Sequence, residues 1–389
     1  MTWIAWLAPR LAGLWAVVIL LWYAAIILVV NARGYDSWPS DFTVFWHAAR
    51  LALAGDPTAA FNQASMADVW RFPDGTDLRA DWLYPPTWLL LLLPFGALPF
   101  TPALILYGTC SVLALWLATR PAASTLPGGV FLVLASPAVP LGVHLSNTTL
   151  MMAAILAAAL LFLSRDRPLL TSAAIAGFAI KPQLALAFPI ALIASRSWLI
   201  IALSAICTAA FALIATFTFG VAYWERFLEK LAGNIEMLEG WEAMMISAYA
   251  LGRAWGFDPA GALIIHALLS AITAILLIVA FWRAPRSDAS LALLCLALPF
   301  LQPRLLYYES GLLIVAFVYL WRSGASSNWL GRATLLFCWS APPHLLHTFF
   351  GLSSGPAYAA VHFAAILYAA HCSIADQNHV VRLRGTRTP

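Results

Sequence analysis

The chain has 389 residues, 62% of them hydrophobic and only 10% charged, with a mean hydropathy of +0.85; soluble domains carry roughly 25% charged residues. This excludes an ordinary water-soluble fold and predicts an all-α polytopic integral membrane protein, because the apolar runs lack the polar–apolar alternation of a membrane barrel. The net charge of +4 points to no nucleic-acid partner, since the arginines lie mostly in short links between apolar spans, the positive-inside pattern.

In chain order, residues 11–30 read as a retained first span after Arg10. Residues 31–85 form a first extracytoplasmic loop with seven of the 17 acidic residues. Within it Phe45, Ala48, Ala49 and Ala52 recur at helical spacing, predicting an amphipathic helix lying at the membrane surface and ended by Gly55. Four apolar segments follow, 86–98, 102–119, 127–143 and 148–163, before the Arg-rich link 165–167. An odd number of crossings must separate that link from the first loop, so one segment fails to span. Pro137 and Pro140 make 127–143 the expected broken or re-entrant element.

Both ends of 169–195 carry cytoplasmic signals, which places Lys181 and Pro182 at the tip of a hairpin. Residues 220–258 form a second large extracytoplasmic loop, 301–310 and 347–358 are turns on the same side, and 374–389 is a cytoplasmic basic tail. The whole chain, 1–389, reads as one membrane domain with both termini in the cytoplasm. Cys110, Cys207, Cys295, Cys338 and Cys372 are scattered without paired spacing. No phosphate-binding loop, dinucleotide fingerprint or zinc-protease motif is present. No cofactor is expected, and Asp74, Asp77 and Asp81 read as solvated loop residues rather than as metal ligands.

The polar residues that interrupt the apolar pattern are the candidates for chemistry. Asp41, after Pro39 and Ser40, is either a helix cap or a carboxylate at a cavity mouth that takes a proton from a hydroxyl. Lys181 lies in an apolar run where a cation costs about 2.5–3.5 kcal/mol at mid-bilayer, so it faces a cavity or an anion, for which phosphate is the natural choice. Arg304 and Glu309 make a third island, open to mutual neutralisation, with Tyr307 and Tyr308 beside them as interfacial aromatics. His144, Asn147 and Thr148 by themselves read as a solvated turn.

The order of these islands resembles the polytopic enzymes of glycosyltransferase family 87, which include polyprenyl-phosphate-mannose-dependent mannosyltransferases. The likeness runs through DFTVFWHAARLALAGDPTAAFN (41–62), LYPPTWLLLLLPFGALP (83–99), the stretch 146–198 with its AIKPQ, FGVAYWERFLE (219–229) and QPRLLYYESGLL (302–313). It implies a type C glycosyltransferase-like bundle of about ten to twelve membrane segments, some broken or re-entrant, with surface helices on the extracytoplasmic loops. It implies a polyprenyl-phosphate sugar donor carrying mannose, with arabinose or another lipid-carried sugar as the alternative, a lipid or glycan acceptor, Asp41 as general base, and inversion at the anomeric carbon. Lys181 and Arg304 would bind the donor phosphate, on electrostatic grounds. Tyr84, His144, Asn147, Gln183, Tyr308 and Glu309 would line the cavity. Two departures stand out: SNTT replaces a Gly-Gln or Gly-Lys-Asn type of turn, and Tyr308-Glu309 replaces Tyr-Asp. A bacterial plasma membrane is the expected location. The competing readings are a transporter or flippase of a lipid-linked substrate, motivated by Lys181 and the broken segments, and a non-catalytic assembly subunit.

Overall fold

Backbone polar groups in lipid must be satisfied within the segment itself, and the apolar runs of this chain are accordingly helical. The computed structural model describes residues 2–33, 40–66, 82–233, 242–351 and 355–385. The first helices are α1 (Thr2–Arg33), α2 (Asp41–Leu53), α3 (Pro86–Gly96), α4 (Phe100–Thr119), α5 (Val130–Leu134), α6 (Ala138–Leu145) and α7 (Thr149–Ser164). Then come α8 (Pro168–Ala176), α9 (Ala187–Ala194), α10 (Trp198–Phe219), α11 (Val221–Gly233), α12 (Ala248–Ala254) and α13 (Pro259–Arg283). The last are α14 (Asp288–Phe300), α15 (Leu313–Arg322), α16 (Trp329–Ser340), α17 (Pro342–Phe350) and α18 (Gly355–Gly385). Among the described residues, stretches of α1, α4, α10, α13 and α18 are each long and apolar enough to cross a bilayer alone.

The long first helix serves as a ruler for depth. Ala8 packs on Gly128, Trp15 Nε1 donates to the Ala135 carbonyl at 2.9 Å, and the rings of Trp22 and His144 lie 4.5 Å apart. Residues 128–144 therefore run alongside α1 for about 21 Å, at 1.5 Å per residue. The segment is broken between α5 and α6 at Pro137, as the prolines predict, but it traverses rather than re-enters. The segment that stays on one side is instead 86–98. Phe95 meets Phe42 and Tyr107, Gly96 abuts Ala49, and the Leu98 carbonyl accepts from Trp46 Nε1 at 2.9 Å. Eleven residues of α3 thus fold back beside α2, and α4 alone makes the descent.

At one end of the bundle the links gather: Arg286 bonds Asp166, and Arg322 bonds both Asp288 and the Ala122 carbonyl. At the other end lie α2, Lys181 and Glu309. Between these ends the described chain makes ten traverses, by α1, α4, α5–α6, α7, α10, α13, α14, α15, α16–α17 and α18. A hairpin of α8 and α9, with Lys181 at its tip, adds to them. The start of α1 and the end of α18 lie at the same end. The helix α18 continues to Gly385, into the first part of the basic segment 374–389, whose last residues lie outside the described ones.

The helix α14 is buried on every side from Ala289 to Phe300, and α15 from Leu313 to Leu320; helices apolar all round belong in an interior. The turn joining them, 301–312, emerges at the Lys181 end. The first-loop helix departs from expectation in one respect. It is ended at Gly55, whose φ of 100° suits glycine, but Phe42, Thr43, Val44, Phe45, Trp46, Ala48 and Ala49 are all buried. It is wedged between α3 and α4 rather than laid on the lipid surface.

A Cβ on Gly96 would stand 2.6 Å from the Ala49 side chain and 2.9 Å from its backbone carbonyl carbon. Gly96→Ala should therefore lower the thermal unfolding midpoint, with a cost of about 1–3 kcal/mol typical of overpacking. Gly13→Ala, where a Cβ meets nothing within 4 Å, should leave that midpoint unchanged or raise it.

Candidate functional site

Asp41 is the first residue of α2, with Ser40 at the capping position before it. Its place is fixed by the aromatic underside of that helix. The Phe42 ring lies 4.9 Å from Tyr107, and Phe45 lies 5.1 Å from Tyr84 and 5.4 Å from Trp88. Burial lifts the Asp41 carboxyl from an ordinary value of 3.8 to about 6, and the nearby Lys181 charge pulls it partly back. Among the described residues no hydrogen bond or ion pair engages that carboxylate. A raised and unpartnered carboxylate is suited to take a proton.

Lys181 projects from the break between two short 3-10 turns, Gly177–Ile180 and Pro182–Ala185. The proline removes a backbone donor and starts a new turn there. Lys181 is 9% exposed and its ammonium forms an ion pair with Glu309 Oε1, while Nζ lies 5.5 Å from the Tyr308 ring centre. Glu309 Oε2 accepts from the Leu306 backbone N–H at 2.9 Å. One carboxylate thus closes its own turn and holds the hairpin tip. The long arm of glutamate serves both contacts. The ion pair of Glu309 is with Lys181, whereas the sequence left open a pairing with Arg304.

Arg304 stands close enough to Tyr84 and Tyr308 for its charge to act on both hydroxyls. Its segment is held by the second loop: Ile246 N–H donates to the Leu305 carbonyl at 2.8 Å, and Ser247 Oγ to the Pro303 carbonyl at 2.5 Å. The Tyr84 hydroxyl is pushed up first by burial, then by the charges of Asp41 and Glu309. Tyr308 is pushed up by burial, then by Glu309, Tyr84 and Asp41. Those couplings gather Asp41, Tyr84, Lys181, Arg304, Tyr308 and Glu309 around one site.

The turn at 144–148 is not solvated. Asn147 and Thr148 are 2% and 1% exposed, because the Asn147 carbonyl accepts from the Tyr107 hydroxyl at 2.8 Å and its Oδ1 from Thr149 N–H at 3.0 Å. Asn147 Nδ2 is buried without a hydrogen-bond partner among the described residues. His144 packs on Trp22 of α1. Gln183 enters through its carbonyl, which accepts from Gln302 Nε2, while its side chain is exposed.

Two further residues join this group, Tyr307, which the sequence placed only as an interfacial aromatic, and His344, which it did not single out. Tyr307, its hydroxyl raised to about 12 by burial and the Asp41 charge, lies 4.0 Å from the His347 ring and 5.6 Å from His344. His344 is fully buried, with both ring nitrogens unpartnered among the described residues. The signal available was a histidine directly after two prolines in an apolar run. Among the described residues no group of three His, Cys, Asp or Glu side chains is arranged to hold a metal. Asp74, Asp77 and Asp81 lie outside the described residues.

Inside this helical bundle a carboxylate without a hydrogen-bond partner among the described residues thus lies within reach of a fixed cation. The family model for glycosyltransferase family 87 matches residues 82–306, more than half of the chain, and the chain belongs to that family; it is a membrane glycosyltransferase. The match takes in Tyr84, His144, Asn147, Lys181, Gln183 and Arg304, while Asp41, Tyr308 and Glu309 lie beyond its ends. No curated protein and no solved structure matches the chain.

Breaking a buried ion pair on one side leaves an uncompensated charge, at a cost of about 3–5 kcal/mol. Lys181→Met and Glu309→Gln should each lose stability of that order in denaturation measurements. The double variant Lys181→Met/Glu309→Gln should lose less than the two single effects added together.

The pH dependence of Asp41 has a definite sign. Its folded-state pKa of about 6 exceeds the unfolded value, so folding takes up a proton across the window from about 4 to 6. Stability falls as pH rises through that window, and the deficit is fully present at neutral pH. Asp41→Asn should therefore unfold at a higher temperature than wild type at pH 7, with the difference gone near pH 4. A capping role would produce the opposite change at pH 7.

Proposed function

We propose that this glycosyltransferase moves a sugar, mannose being the first to test, from a polyprenyl-phosphate donor to a hydroxyl of a lipid or glycan acceptor. Asp41 takes the proton of the attacking hydroxyl. The acceptor oxygen forms its bond to the anomeric carbon as the bond to the phosphate oxygen breaks. The electron pair leaves with the phosphate, and the configuration inverts, so that a β-linked donor yields an α-glycoside. Arg304 and the ammonium of Lys181, which has protons beyond the one given to Glu309, offset the charge that grows on the leaving phosphate. Tyr84 and Asn147 line the space between.

The observation that carries this reading is the raised Asp41 carboxylate, without a hydrogen-bond partner among the described residues and within reach of the Lys181 charge. The Arg-bearing links at the opposite end favour a cytoplasmic position for that end. The site would then face the extracytoplasmic side of a bacterial plasma membrane, where a polyprenyl-linked sugar meets envelope acceptors. A transporter of the same lipid would need Lys181 but no proton acceptor at Asp41.

Membranes containing the wild type should transfer label from radiolabelled polyprenyl-phosphate-mannose into a new product. Asp41→Asn should reduce that transfer by about 10²–10⁴-fold, the usual weight of a general base, with unchanged protein level. Full activity in the variant would exclude Asp41 as the base. Translocation of the labelled lipid without product would favour the transporter reading.

A further inference from the structure

A second polar cavity, of about 420 Å³, lies at the end of the bundle away from Asp41. Small-molecule sites occupy roughly 300–1,000 Å³. Its walls are the links at Pro121–Ala122, Ser164–Arg165 and Arg286–Asp288, with Tyr319 and Arg322 from the last turns of α15. Two of its three guanidinium groups are balanced: Arg286 donates to Asp166 at 2.5 Å and Arg322 to Asp288 at 2.9 Å. Among the described residues no carboxylate pairs with Arg165. Tyr319 is 2% exposed, and its buried hydroxyl has no hydrogen-bond partner among the described residues.

An unbalanced guanidinium and an idle buried O–H donor in one cavity call for an anion with several acceptor oxygens. Phosphate fits, because the planar arginine fork matches its oxygens. A neighbouring cavity of about 680 Å³ shares Pro121 with the first; Leu117, Val130 and Phe131 give it apolar walls, with Arg120 at its side. A polar chamber beside an apolar one suits a lipid better than a free ion. Basic pockets between membrane helices are a known setting for anionic head groups.

We infer that this cavity binds the phosphodiester headgroup of an anionic phospholipid, with Arg165 and Tyr319 as ligands and an acyl chain along Leu117, Val130 and Phe131. The walls connect with the distant site. From the cavity, α7 leads to Asn147, α14 to Gln302 and Arg304, and α15 to Glu309. An occupied cavity thus braces the elements that carry those residues.

Lipid binding to the purified full-length protein tests this, by native mass spectrometry and by the shift in thermal unfolding. The probes are phosphatidylglycerol, phosphatidylcholine and inorganic phosphate; the chains are wild type, Arg165→Gln and Tyr319→Phe. Arg165 is exposed in a link, so its variant should fold and unfold like wild type without lipid. Phosphatidylglycerol should bind wild type and raise its unfolding midpoint, whereas phosphatidylcholine should not. Arg165→Gln should weaken phosphatidylglycerol binding by roughly ten- to hundredfold, the loss of one charged hydrogen-bonding group, and Tyr319→Phe should weaken it less. Equal binding of the two lipids, or undiminished phosphatidylglycerol binding by Arg165→Gln, would overturn the inference. Inorganic phosphate binding as tightly as the lipid would identify a free-anion site and overturn the lipid assignment. None of these outcomes depends on the transferase reading at the other end.

Discussion

Lys181 and Glu309 are 128 residues apart in the chain, and both are nearly excluded from solvent inside a bundle that offers few other polar partners. In a membrane the transfer of apolar side chains from lipid to protein interior gives little driving force, so packing and polar contacts decide how helices sit. A lone cation or carboxylate at that depth is costly. Pairing them locks the tip of the α8–α9 hairpin to the turn between the two most buried helices, α14 and α15. Arg304, Tyr308 and the Gln302–Gln183 contact all belong to that junction. If it opened, the cations around the site would lose their common frame.

Two carboxylates that share Lys181, Glu309 by an ion pair and Asp41 through its charge, have opposite fates. Glu309 is saturated, one oxygen on the ammonium and the other on a backbone N–H. Asp41 is left with the field of the same lysine but no direct contact, and burial raises its proton affinity. Environments that separate two acidic groups in this way are the usual means of assigning one to proton exchange and the other to structure, and on the proposed mechanism the cost of the Asp41 carboxylate at neutral pH is a stability sacrifice made for function.

Much of this was legible from residue type alone. A lysine in AIKPQ within an apolar run has few destinations, and its place at a hairpin tip followed from basic links at both ends. Asp41 stood out because an aromatic helix follows it directly. The misreading of 127–143 arose because prolines were taken to stop a crossing. Pro137 only divides it into α5 and α6, whereas α3 has no internal break before its last turns yet stays beside α2, held by Phe95, Gly96 and the Leu98 carbonyl. Helical pattern does not encode which neighbour claims a segment. The burial of Asn147 and the Glu309–Lys181 pairing were hidden for the same reason: each depends on contacts far apart in sequence. His344 carried too weak a local signal, one imidazole after two prolines, to be set apart from an interfacial residue.

The account turns on Asp41 acting as the proton acceptor, and the pH profile of sugar transfer tests it most directly. With wild-type enzyme in membranes, kcat/KM for the polyprenyl-phosphate sugar should rise with pH and level off above an inflection near 6, the value to which burial lifts this group. A profile that is flat from pH 5 to 8, or one whose inflection persists in the residual activity of Asp41→Asn, would contradict Asp41 as the proton acceptor.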